Sequence, residues 1–311
     1  MKSILVVGGN GFIGSHLVDR LTAMSRPVVI LDKEARRFGS LPDGVKFVRG
    51  NSGDTGLVDQ LLEENHVDTV YHLGWSTIHE TATRFPEADV SENIAGSISL
   101  LAACCRMGVR RFIFVSSGGT VYGLPKTESV NEEHPTNPIN AYGISKLSVE
   151  KYVQMYNHLL GLEYVIVRPS VVYGPRQDPH RGQSAVCVFI DRALRCEPIT
   201  VFGDGSAVRD YFYVDDMMNA LISAMTCPSG MIFNLAGDKS FSLLELVRLI
   251  ETILGVKIYT NYQSQRKIDV PIIRLDTSRA RTILNWTPSV PLRNGIIMTA
   301  DWLRTLHDSE Q

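Results

Sequence analysis

The chain has 311 residues, of which 44% are hydrophobic, and its 31 basic and 33 acidic residues give a formal net charge of −2. This length supports one large or two modest domains with a sizeable core, and the near-neutral charge argues against a nucleic acid as partner. No apolar stretch reaches the length of a membrane span or of a signal-peptide core, so we expect no membrane partner and a cytoplasmic location. The five cysteines have no zinc-ligand spacing, so we expect reduced thiols and no metal site.

Short apolar strands alternate with amphipathic helices through the first half of the chain. The predicted strands span residues 4–7, 28–31, 46–48, 69–72, 111–115 and 164–167. The predicted helices span residues 12–24, 56–65, 88–107 and 141–160. This alternation predicts an α/β fold with a doubly wound, Rossmann-type parallel sheet that helices cover on both faces.

The pattern loosens after about residue 169. Loops rich in proline and glycine cover residues 171–182 and 202–206, and further helices are predicted at 186–195, 216–225, 243–254 and 292–306. We therefore expect residues 1–168 to form a dinucleotide-binding domain and residues 169–311 to form mainly a smaller, loop-rich substrate domain. Some segments of the second part are expected to return to the first domain.

A glycine-rich turn joins the first predicted strand to the first predicted helix. Its glycines, Gly8, Gly11 and Gly14, allow a tight turn, close approach of the backbone to a pyrophosphate, and close packing of the helix on the strand. Taken alone, such a pattern also fits an ordinary glycine turn. Its place between a strand and a helix favours a dinucleotide-binding loop.

An acidic residue, Asp32, follows the second predicted strand, 18 residues after Gly14. A carboxylate at this spacing can accept hydrogen bonds from both hydroxyls of the adenosine ribose and would repel a 2′-phosphate, which favours NAD over NADP. Arg36 and Arg37 follow closely, and an arginine there can accommodate a 2′-phosphate. We interpret both as solvated loop charges.

A tyrosine and a lysine four residues apart, Tyr142 and Lys146, lie within a predicted helix and therefore share one of its faces. An ammonium one turn away stabilises a phenolate and lowers the phenol pKa, so that the tyrosine can exchange protons with a hydroxyl while hydride leaves its carbon. A surface pair without chemistry is the alternative. The preceding dinucleotide loop favours the catalytic interpretation.

These motifs together resemble the extended short-chain dehydrogenases/reductases, and within them the NAD-dependent sugar-nucleotide epimerase/dehydratase family. Further segments are similar to its UDP-galactose (UDP-glucose) 4-epimerase-like branch, and the resemblance covers nearly the whole chain. These segments are His-Leu-Gly at 72–74, Phe-Val-Ser-Ser-Gly-Gly-Thr-Val-Tyr-Gly at 114–123, residues 168–176, Phe-Gly-Asp-Gly-Ser at 202–206, Arg-Asp at 209–210 and Tyr-Val-Asp-Asp at 213–216.

The resemblance implies a role for each matching residue. Tyr142 would be the acid/base, and Lys146 would bind the nicotinamide ribose. The other implied NAD contacts are Gly8, Gly11, Phe12, Ile13, Gly14, Asp32, Asn51, Leu73 and Asn93. The implied substrate contacts are Arg209 and Arg266 on the UDP diphosphate, Asp269 beside them, and Ile273 in the sugar pocket, where it would help to decide which C2 substituent is accepted.

The chain departs from the family pattern at several positions. Gly118 stands where many members have a serine or threonine that links the sugar to the tyrosine, so Thr120, Ser117 or water must take that role. We expect Thr120 to lie nearer the pocket than Ser117. The other departures are Val171 in place of an Asn, Asn51 in place of an Asp, and Trp75 in place of a small residue, which narrows the pocket wall.

The favoured function is NAD-dependent C4 epimerisation of a UDP-hexose through a transient 4-keto intermediate, with UDP-glucose and UDP-galactose as the preferred pair. The alternatives are epimerisation of N-acetylated UDP-hexoses, a 4,6-dehydratase or decarboxylase, a 4-ketosugar reductase, and a non-catalytic dinucleotide sensor. Dehydratases carry Asp-Glu where this chain has Gly119 and Thr120, and Asp32 argues against an NADPH-dependent reductase. The resemblance also implies a homodimer formed through helices 88–107 and 141–160.

Overall fold

The computed structural model describes residues 2–181 and 184–310. Its strands are β1 (Ser3–Val7), β2 (Val28–Asp32), β3 (Lys46–Arg49), β4 (Val67–His72), β5 (Arg111–Val115), β6 (Glu163–Pro169), β7 (Val171–Tyr173), β8 (Ile199–Phe202), β9 (Val208–Tyr213), β10 (Met231–Leu235), β11 (Ser240–Ser242) and β12 (Thr260–Gln263). Its α-helices are α1 (Phe12–Ala23), α2 (Thr55–Glu64), α3 (His79–Arg84), α4 (Pro86–Asp89), α5 (Gly96–Arg106), α6 (Ala141–Leu160), α7 (Ala185–Leu194), α8 (Val214–Ser223), α9 (Leu243–Leu254), α10 (Ser278–Leu284) and α11 (Leu292–Glu310).

The main sheet has seven strands in the order β10-β6-β5-β4-β1-β2-β3, and every pair is parallel. All six strands predicted in the first half belong to it, which confirms the Rossmann-type fold. The seventh strand, β10, comes from the second half of the chain and was not predicted. The strand order reverses on either side of β1, and such a reversal opens a ligand crevice at the carboxyl ends of the strands.

The inner strands of the main sheet, from β1 to β6 apart from β3, are buried on both faces, as their largely apolar sequences require, whereas the edge strand β3 is partly exposed. Along β1, for example, Ile4 and Val6 belong to one hydrophobic cluster and Leu5 and Val7 to another. Because successive side chains of a strand point to opposite faces, these two clusters form the cores on either side of the sheet. The rigid sheet therefore fixes the positions of the loops at its carboxyl edge.

The predicted helix over residues 88–107 is wrong as a single element. Helix α4 is followed by a π-helical turn (Val90–Ala95), and α5 begins only at Gly96. The widened turn places the buried side chain of Asn93 against Asp89, with 2.8 Å between the amide nitrogen and the carboxylate. Apolar periodicity cannot reveal one extra residue in a turn, and such bulges often occur at functional sites.

Two small sheets lie outside the main sheet. Strand β9 pairs with β7 in parallel and with β11 in antiparallel fashion, and β8 pairs with β12. These short strands, together with α3 and α10, were not predicted from the sequence. The last residue of the predicted loop 171–182, Gly182, lies outside the described residues. None of the helices in the described ranges combines the length and apolar character needed to cross a membrane.

Candidate active site

A cavity of about 980 Å³ opens at the carboxyl edge of the main sheet. The glycine-rich turn packs against Gly74 and forms one end of the cavity wall. Tyr142 on α6 follows, beside Trp75 and His79, and the loop after β12 with β9 comes next, because Arg266 lies 3.9 Å from Glu80. The volume is at the upper end of the range for small-molecule sites. Within the described residues, no cluster of three or more His, Cys, Asp or Glu side chains is arranged to hold a metal ion.

The glycine-rich turn packs so closely that two of its glycines cannot be replaced without a shift. A Cβ atom on Gly14 would overlap the carbonyl oxygen of Gly8 and lie 2.7 Å from Cα of Gly9. Gly8 has a φ of +80°, and a Cβ there would lie 2.5 Å from the backbone nitrogen of Gly74. Helix α1 begins at Phe12 without a side-chain cap, so its first amides are available to an anion.

The predicted ribose acid, Asp32, ends β2 and lines the cavity. Its carboxylate accepts hydrogen bonds from the backbone amides of Asn10 (2.9 Å) and Glu34 (3.2 Å). Burial raises the pKa of this carboxyl, and the hydrogen bonds act in the opposite direction. Asp32 is therefore held in a fixed orientation at the cavity wall.

The interpretation of Arg36 as a solvated loop charge is wrong. Its side chain is only 3% exposed, and its guanidinium donates to both carboxylate oxygens of Asp19 at 2.8 Å. Arg37 is half-exposed and pairs with Asp178. Arg36 lies outside the cavity wall, and its guanidinium is held by Asp19 and by the carbonyl oxygens of Ser15 and Ser40, so it is not placed to receive a 2′-phosphate, which is consistent with NAD rather than NADP.

Three more residues implied as cofactor contacts, Asn51, Leu73 and Asn93, also line the cavity. The side chain of Asn51 accepts from the amide of Gly53 (3.2 Å), so it caps the turn before α2. The side-chain oxygen of Asn93 accepts from the amide of Ser76 (3.0 Å), and its amide nitrogen donates to Asp89. Asn93 thus ties the π-helical turn to the segment after β4.

Tyr142 and Lys146 lie one turn apart on α6, and both line the cavity. The Lys146 ammonium donates to the carbonyl of Val115 at 2.9 Å and lies 3.7 Å from the ring centroid of Trp75. It lies farther, 5.6 Å, from the ring centroid of Tyr142.

Burial, not the neighbouring ammonium, dominates the titration of this pair. It raises the pKa of the Tyr142 phenol, with Asp89 acting in the same direction. It also lowers the pKa of Lys146 to about 7, against the opposing effect of Asp89 and Glu150. The expectation that Lys146 by itself lowers the Tyr142 pKa is therefore not met among the described residues.

Two serines after β5 line the cavity, but the hydroxyl of Ser116 donates to Glu150, which leaves that of Ser117 for a ligand. Ser117 lines the cavity, whereas Thr120 is 2% exposed and lies outside its wall, with its hydroxyl unpaired among the described residues. A side chain at Gly118 has no room, because its Cβ would overlap Leu275 and lie 2.7 Å from the carbonyl oxygen of Arg168. The expectation that Thr120 lies nearer the pocket than Ser117 is wrong.

Both predicted diphosphate arginines line the far end of the cavity. Arg209, on β9, donates to the carbonyls of Val208, Val270 and Pro271, and burial lowers the pKa of its guanidinium. No carboxylate lies within ion-pair distance of Arg209 in the described ranges. Arg266 pairs with Asp269 at 2.8 Å, and its guanidinium lies 4.2 Å from the ring centroid of Phe202. This end of the cavity is therefore suited to an anion.

The structure contradicts the placement of Ile273 in the sugar pocket. Its side chain is 1% exposed, lies outside the cavity wall, and packs in a small hydrophobic cluster with Val121 and Tyr122. The neighbouring Ile272 is 45% exposed. Successive side chains of extended backbone point in opposite directions, so a difference of one residue decides which isoleucine is buried.

Two aromatic side chains flank Tyr142: Trp75, which was expected on the pocket wall, and His79, which we did not assign to the site. The ring centroids of His79 and Trp75 lie 4.8 Å and 6.0 Å from that of Tyr142, and both residues line the cavity. The available signal was their place just after β4, at the carboxyl edge where the glycine-rich turn also lies.

Several buried polar atoms on the cavity wall have no partner among the described residues. They are Oδ1 of Asn10, Nδ1 of His72, Nε1 of Trp75, Oγ of Ser170, Oε1 of Gln177, Oγ of Ser184 and the hydroxyl of Tyr211. Buried polar groups are rarely left without a hydrogen bond, so these atoms fit a site that holds polar ligands. The glycine-rich turn, Asp32 and this polar wall together fit a dinucleotide.

The chain is similar to known proteins along almost its whole length. The model of the NAD dependent epimerase/dehydratase family matches residues 4–236. A UDP-glucose 4-epimerase of Mycolicibacterium smegmatis is 36% identical over 307 residues, which cover 96% of this chain and 98% of that protein.

Two solved structures are similar along almost their whole length. The UDP-glucose 4-epimerase of Thermotoga maritima with UDP-glucose has a TM-score of 0.94 at 35% identity, covering 98% of this chain and 99% of that one. The UDP-glucose 4-epimerase of Thermus thermophilus in complex with NAD has a TM-score of 0.91 at 32% identity, covering 97% and 99%.

The parallel sheet, the glycine-rich turn and the Tyr142–Lys146 pair define an enzyme of the extended short-chain dehydrogenase/reductase class. More particularly, the chain belongs to the NAD dependent epimerase/dehydratase family, and its cofactor is NAD.

Proposed function

We propose that this enzyme interconverts UDP-glucose and UDP-galactose by epimerisation at C4 through a transient 4-keto sugar. One observation carries the proposal: Tyr142 and Lys146 lie on the wall of a single cavity, between a dinucleotide loop at one end and Arg209 and Arg266 at the other. A UDP-hexose held by its diphosphate at the arginines extends its sugar toward Tyr142. The similarity to proteins named UDP-glucose 4-epimerase supports the same activity.

The residues of the chain divide the work of the reaction. Gly8, Gly11 and Gly14 would hold the pyrophosphate of NAD, Asp32 its adenosine ribose and Lys146 its nicotinamide ribose. NAD, when bound, takes up and returns the C4 hydride, and its oxidised nicotinamide ring brings a positive charge that lowers the phenol pKa. Tyr142 exchanges the proton of the C4 hydroxyl.

Ser117 supplies the hydroxyl that connects the sugar with Tyr142, because it lines the cavity and Gly118 has no side chain. Arg209 and Arg266 bind the diphosphate through bidentate hydrogen bonds, and Asp269 orients Arg266. With NAD regenerated in each turnover, the cofactor stays bound and is not a consumed substrate.

The alternatives fit the site less well. A 4,6-dehydratase needs an acid to eliminate water, but Gly119 lines the cavity at one of the two relevant positions and carries no side chain. An NADPH-dependent reductase needs a cation for the 2′-phosphate, but Arg36 lies outside the cavity wall and Arg37, which lines it, is paired with Asp178. For N-acetylated sugars, Ile273 no longer gives an argument in either direction, because it is buried away from the cavity.

The enzyme is further proposed to act in carbohydrate metabolism as a cytoplasmic homodimer. The five cysteines are free, which is usual for a protein of a reducing compartment. Helix α6 exposes Ile144, Met155 and Leu159 on one face, since these residues are 11 and 4 positions apart. An exposed apolar stripe of this kind is suited to contact with a second copy of the chain.

The decisive experiment is extraction of the cofactor followed by product analysis. Protein purified without added cofactor should release NAD on denaturation, and it should convert UDP-glucose into UDP-galactose until the two reach equilibrium. Recovery of NADP, or formation of a 4-keto-6-deoxy sugar instead of UDP-galactose, would overturn the proposal. A parallel assay with UDP-N-acetylglucosamine decides whether the acetylated pair is also accepted.

A further inference from the structure

The imidazole of His79 occupies a central place in the cavity that no role so far explains. His79 begins α3 just after β4, and its ring contacts that of Tyr142 with a centroid distance of 4.8 Å and an interplanar angle of 51°. Thr83 donates to its backbone carbonyl, but within the described ranges neither ring nitrogen has a hydrogen-bonding partner. The ring is therefore held in place by packing, while its polar atoms are left for a ligand.

Charged groups of the substrate end surround His79. Arg209, Arg266 and Asp269 all influence its titration, the arginines disfavouring the imidazolium and the aspartate favouring it. Burial is the largest influence and lowers the pKa of His79 to about 4. At neutral pH the ring is therefore uncharged and offers one N–H donor and one nitrogen acceptor.

Two sets of groups near His79, Tyr142 and the pair of arginines, indicate which part of the substrate lies beside it. Tyr142 is the group that must reach the C4 hydroxyl, and Arg209 and Arg266 are the groups that hold the diphosphate on C1. The hexose ring is the part of the substrate between C1 and C4. A side chain that contacts Tyr142 and lies among the groups around both arginines therefore lies beside the hexose.

We propose that His79 is a specificity-determining residue, whose imidazole hydrogen-bonds a hydroxyl group of the hexose and selects for sugars that carry it. The inference rests on the proposed UDP-hexose substrate and names a determinant of sugar choice within that site, the role that Ile273 does not fill. A site built to hydrogen-bond a hydroxyl rejects analogues that lack it, because its own polar group then stays buried without a partner.

Two substitutions separate hydrogen bonding from packing. His79→Phe keeps an aromatic ring against Tyr142 and removes both polar atoms, whereas His79→Gln keeps a donor and an acceptor and removes the ring. We expect His79→Phe to raise the KM for UDP-glucose by about tenfold or more with little change in kcat, as loss of a uniform binding interaction does. His79→Gln should recover most of the affinity, and both variants should retain bound NAD.

Deoxy analogues identify the hydroxyl itself. The wild-type enzyme should discriminate by about tenfold or more against one of UDP-2-deoxyglucose, UDP-3-deoxyglucose and UDP-6-deoxyglucose, and His79→Phe should lose that discrimination. A wild-type KM in His79→Phe, or equal discrimination by both proteins, overturns the proposal. A fall in kcat in both His79→Phe and His79→Gln also overturns the proposal, because His79 would then act only by positioning Tyr142.

Calorimetry keeps this test separate from that of the reaction. The affinity of the Tyr142→Phe holoprotein for UDP-glucose should weaken by the same factor when His79→Phe is added, whether or not the enzyme epimerises this sugar. If no UDP-hexose is turned over but the affinity for UDP-glucose still depends on His79, only the proposed reaction is overturned. Unchanged affinity in the double variant would overturn the role of His79.

Discussion

Proton transfer in the proposed site depends on the hydroxyl of Tyr142, whose pKa burial raises, so that the phenol stays protonated in the protein without ligands. Tyr142→Phe removes that proton and leaves the ring contacts with Trp75 and His79. We expect kcat to fall by about 10²–10⁴-fold, the usual contribution of one acid/base group, with NAD content unchanged. Tyr156→Phe on the same helix is the matched control and should retain full activity. A loss of less than about tenfold in Tyr142→Phe would mean that another group transfers the proton.

The hydroxyl that assists Tyr142 is expected to be that of Ser117. Since Ser117 lines the cavity and Thr120 does not, Ser117→Ala should lower kcat more than Thr120→Val does. The comparison is made on holoprotein with UDP-glucose, after equal NAD content has been verified. Small and equal effects would indicate that water connects the sugar to Tyr142. A larger effect of Thr120→Val on kcat alone would contradict the placement.

Lys146 gives the protein a pH-dependent stability whose sign follows from its lowered pKa. The folded pKa of about 7 lies below the ordinary value of 10.5, so the unfolded chain binds the extra proton between these values. The free energy of unfolding therefore increases as the pH rises through this window. Below about pH 7 the protein carries the full cost of burying the charged ammonium of Lys146.

Lys146→Met removes the titrating group and should remove this slope. The difference in free energy of unfolding between the variant apoprotein and the wild-type apoprotein is measured by urea unfolding at pH 6 and at pH 9.5. This difference should favour the variant more at pH 6 than at pH 9.5. The pKa values of His72 and His79 in the folded protein, about 3 and about 4, are set mainly by burial, which both proteins share, so both histidines are uncharged in the folded state at pH 6 and above and cancel in the comparison. The same relative stability at both pH values would show that Lys146 keeps an ordinary pKa.

Individual site residues were predictable where a regular element fixes them. Asp32 ends a buried strand, and Tyr142 and Lys146 are one helical turn apart, so period and spacing were sufficient to bring them to the cavity wall. Ile273 and Thr120 were misplaced because they lie in irregular or extended backbone. There a shift of one residue reverses the direction of a side chain, and no sequence pattern fixes it.

At the scale of elements, the glycine-rich turn and α1 allow a matched pair of substitutions. Gly14→Ala places a Cβ against the backbone of Gly8 and Gly9, whereas Gly11→Ala meets only the Gly8 carbonyl oxygen, at 3.4 Å. We expect Gly14→Ala to lower the melting temperature of the apoprotein and Gly11→Ala to leave it nearly unchanged. Both should lose NAD, the second because the new methyl group lies where the pyrophosphate approaches.

Thermal unfolding of the apoprotein and NAD content after desalting measure the two effects separately. Full NAD content in Gly11→Ala would show that the pyrophosphate does not approach this residue. An unchanged melting temperature in Gly14→Ala would show that the turn can shift at little cost. Either result would contradict the close packing inferred for this turn.

Helices and strands of the first half were predictable because long apolar repeats identify them, but the π-helical turn was not. It depends on hydrogen bonds of Asn93 with Asp89 and Ser76, which join residues 4 and 17 positions apart. The short strands β7, β9 and β11 are likewise stabilised by partners distant in sequence. Local periodicity carries no information about such pairings.

At the scale of the whole molecule, α6 has an inner and an outer face. Val149 and Val153 pack into the core of the chain, so these valines do not argue for a partner. The outward-facing residues of α6 do argue for a partner, because Ile144 and Leu159 are 51% and 63% exposed. Val90, in the π-helical turn that packs against α6, is 50% exposed. The proposed dimer interface therefore consists of these outward residues.

Burial of this stripe between two copies predicts a dimer at micromolar concentration in sedimentation velocity. Met155→Glu places a charge in the stripe and should produce monomers, because an unpaired charge is costly to bury in an interface. Met298→Glu on α11 is the matched control: both methionines are 39% exposed, but Met298 lies outside the stripe, so this variant should remain dimeric. Wild-type monomers, or dissociation by Met298→Glu and not by Met155→Glu, would contradict the interface. Activity measured on the Met155→Glu monomer would then show whether the site, whose wall is built from one chain, works without its partner.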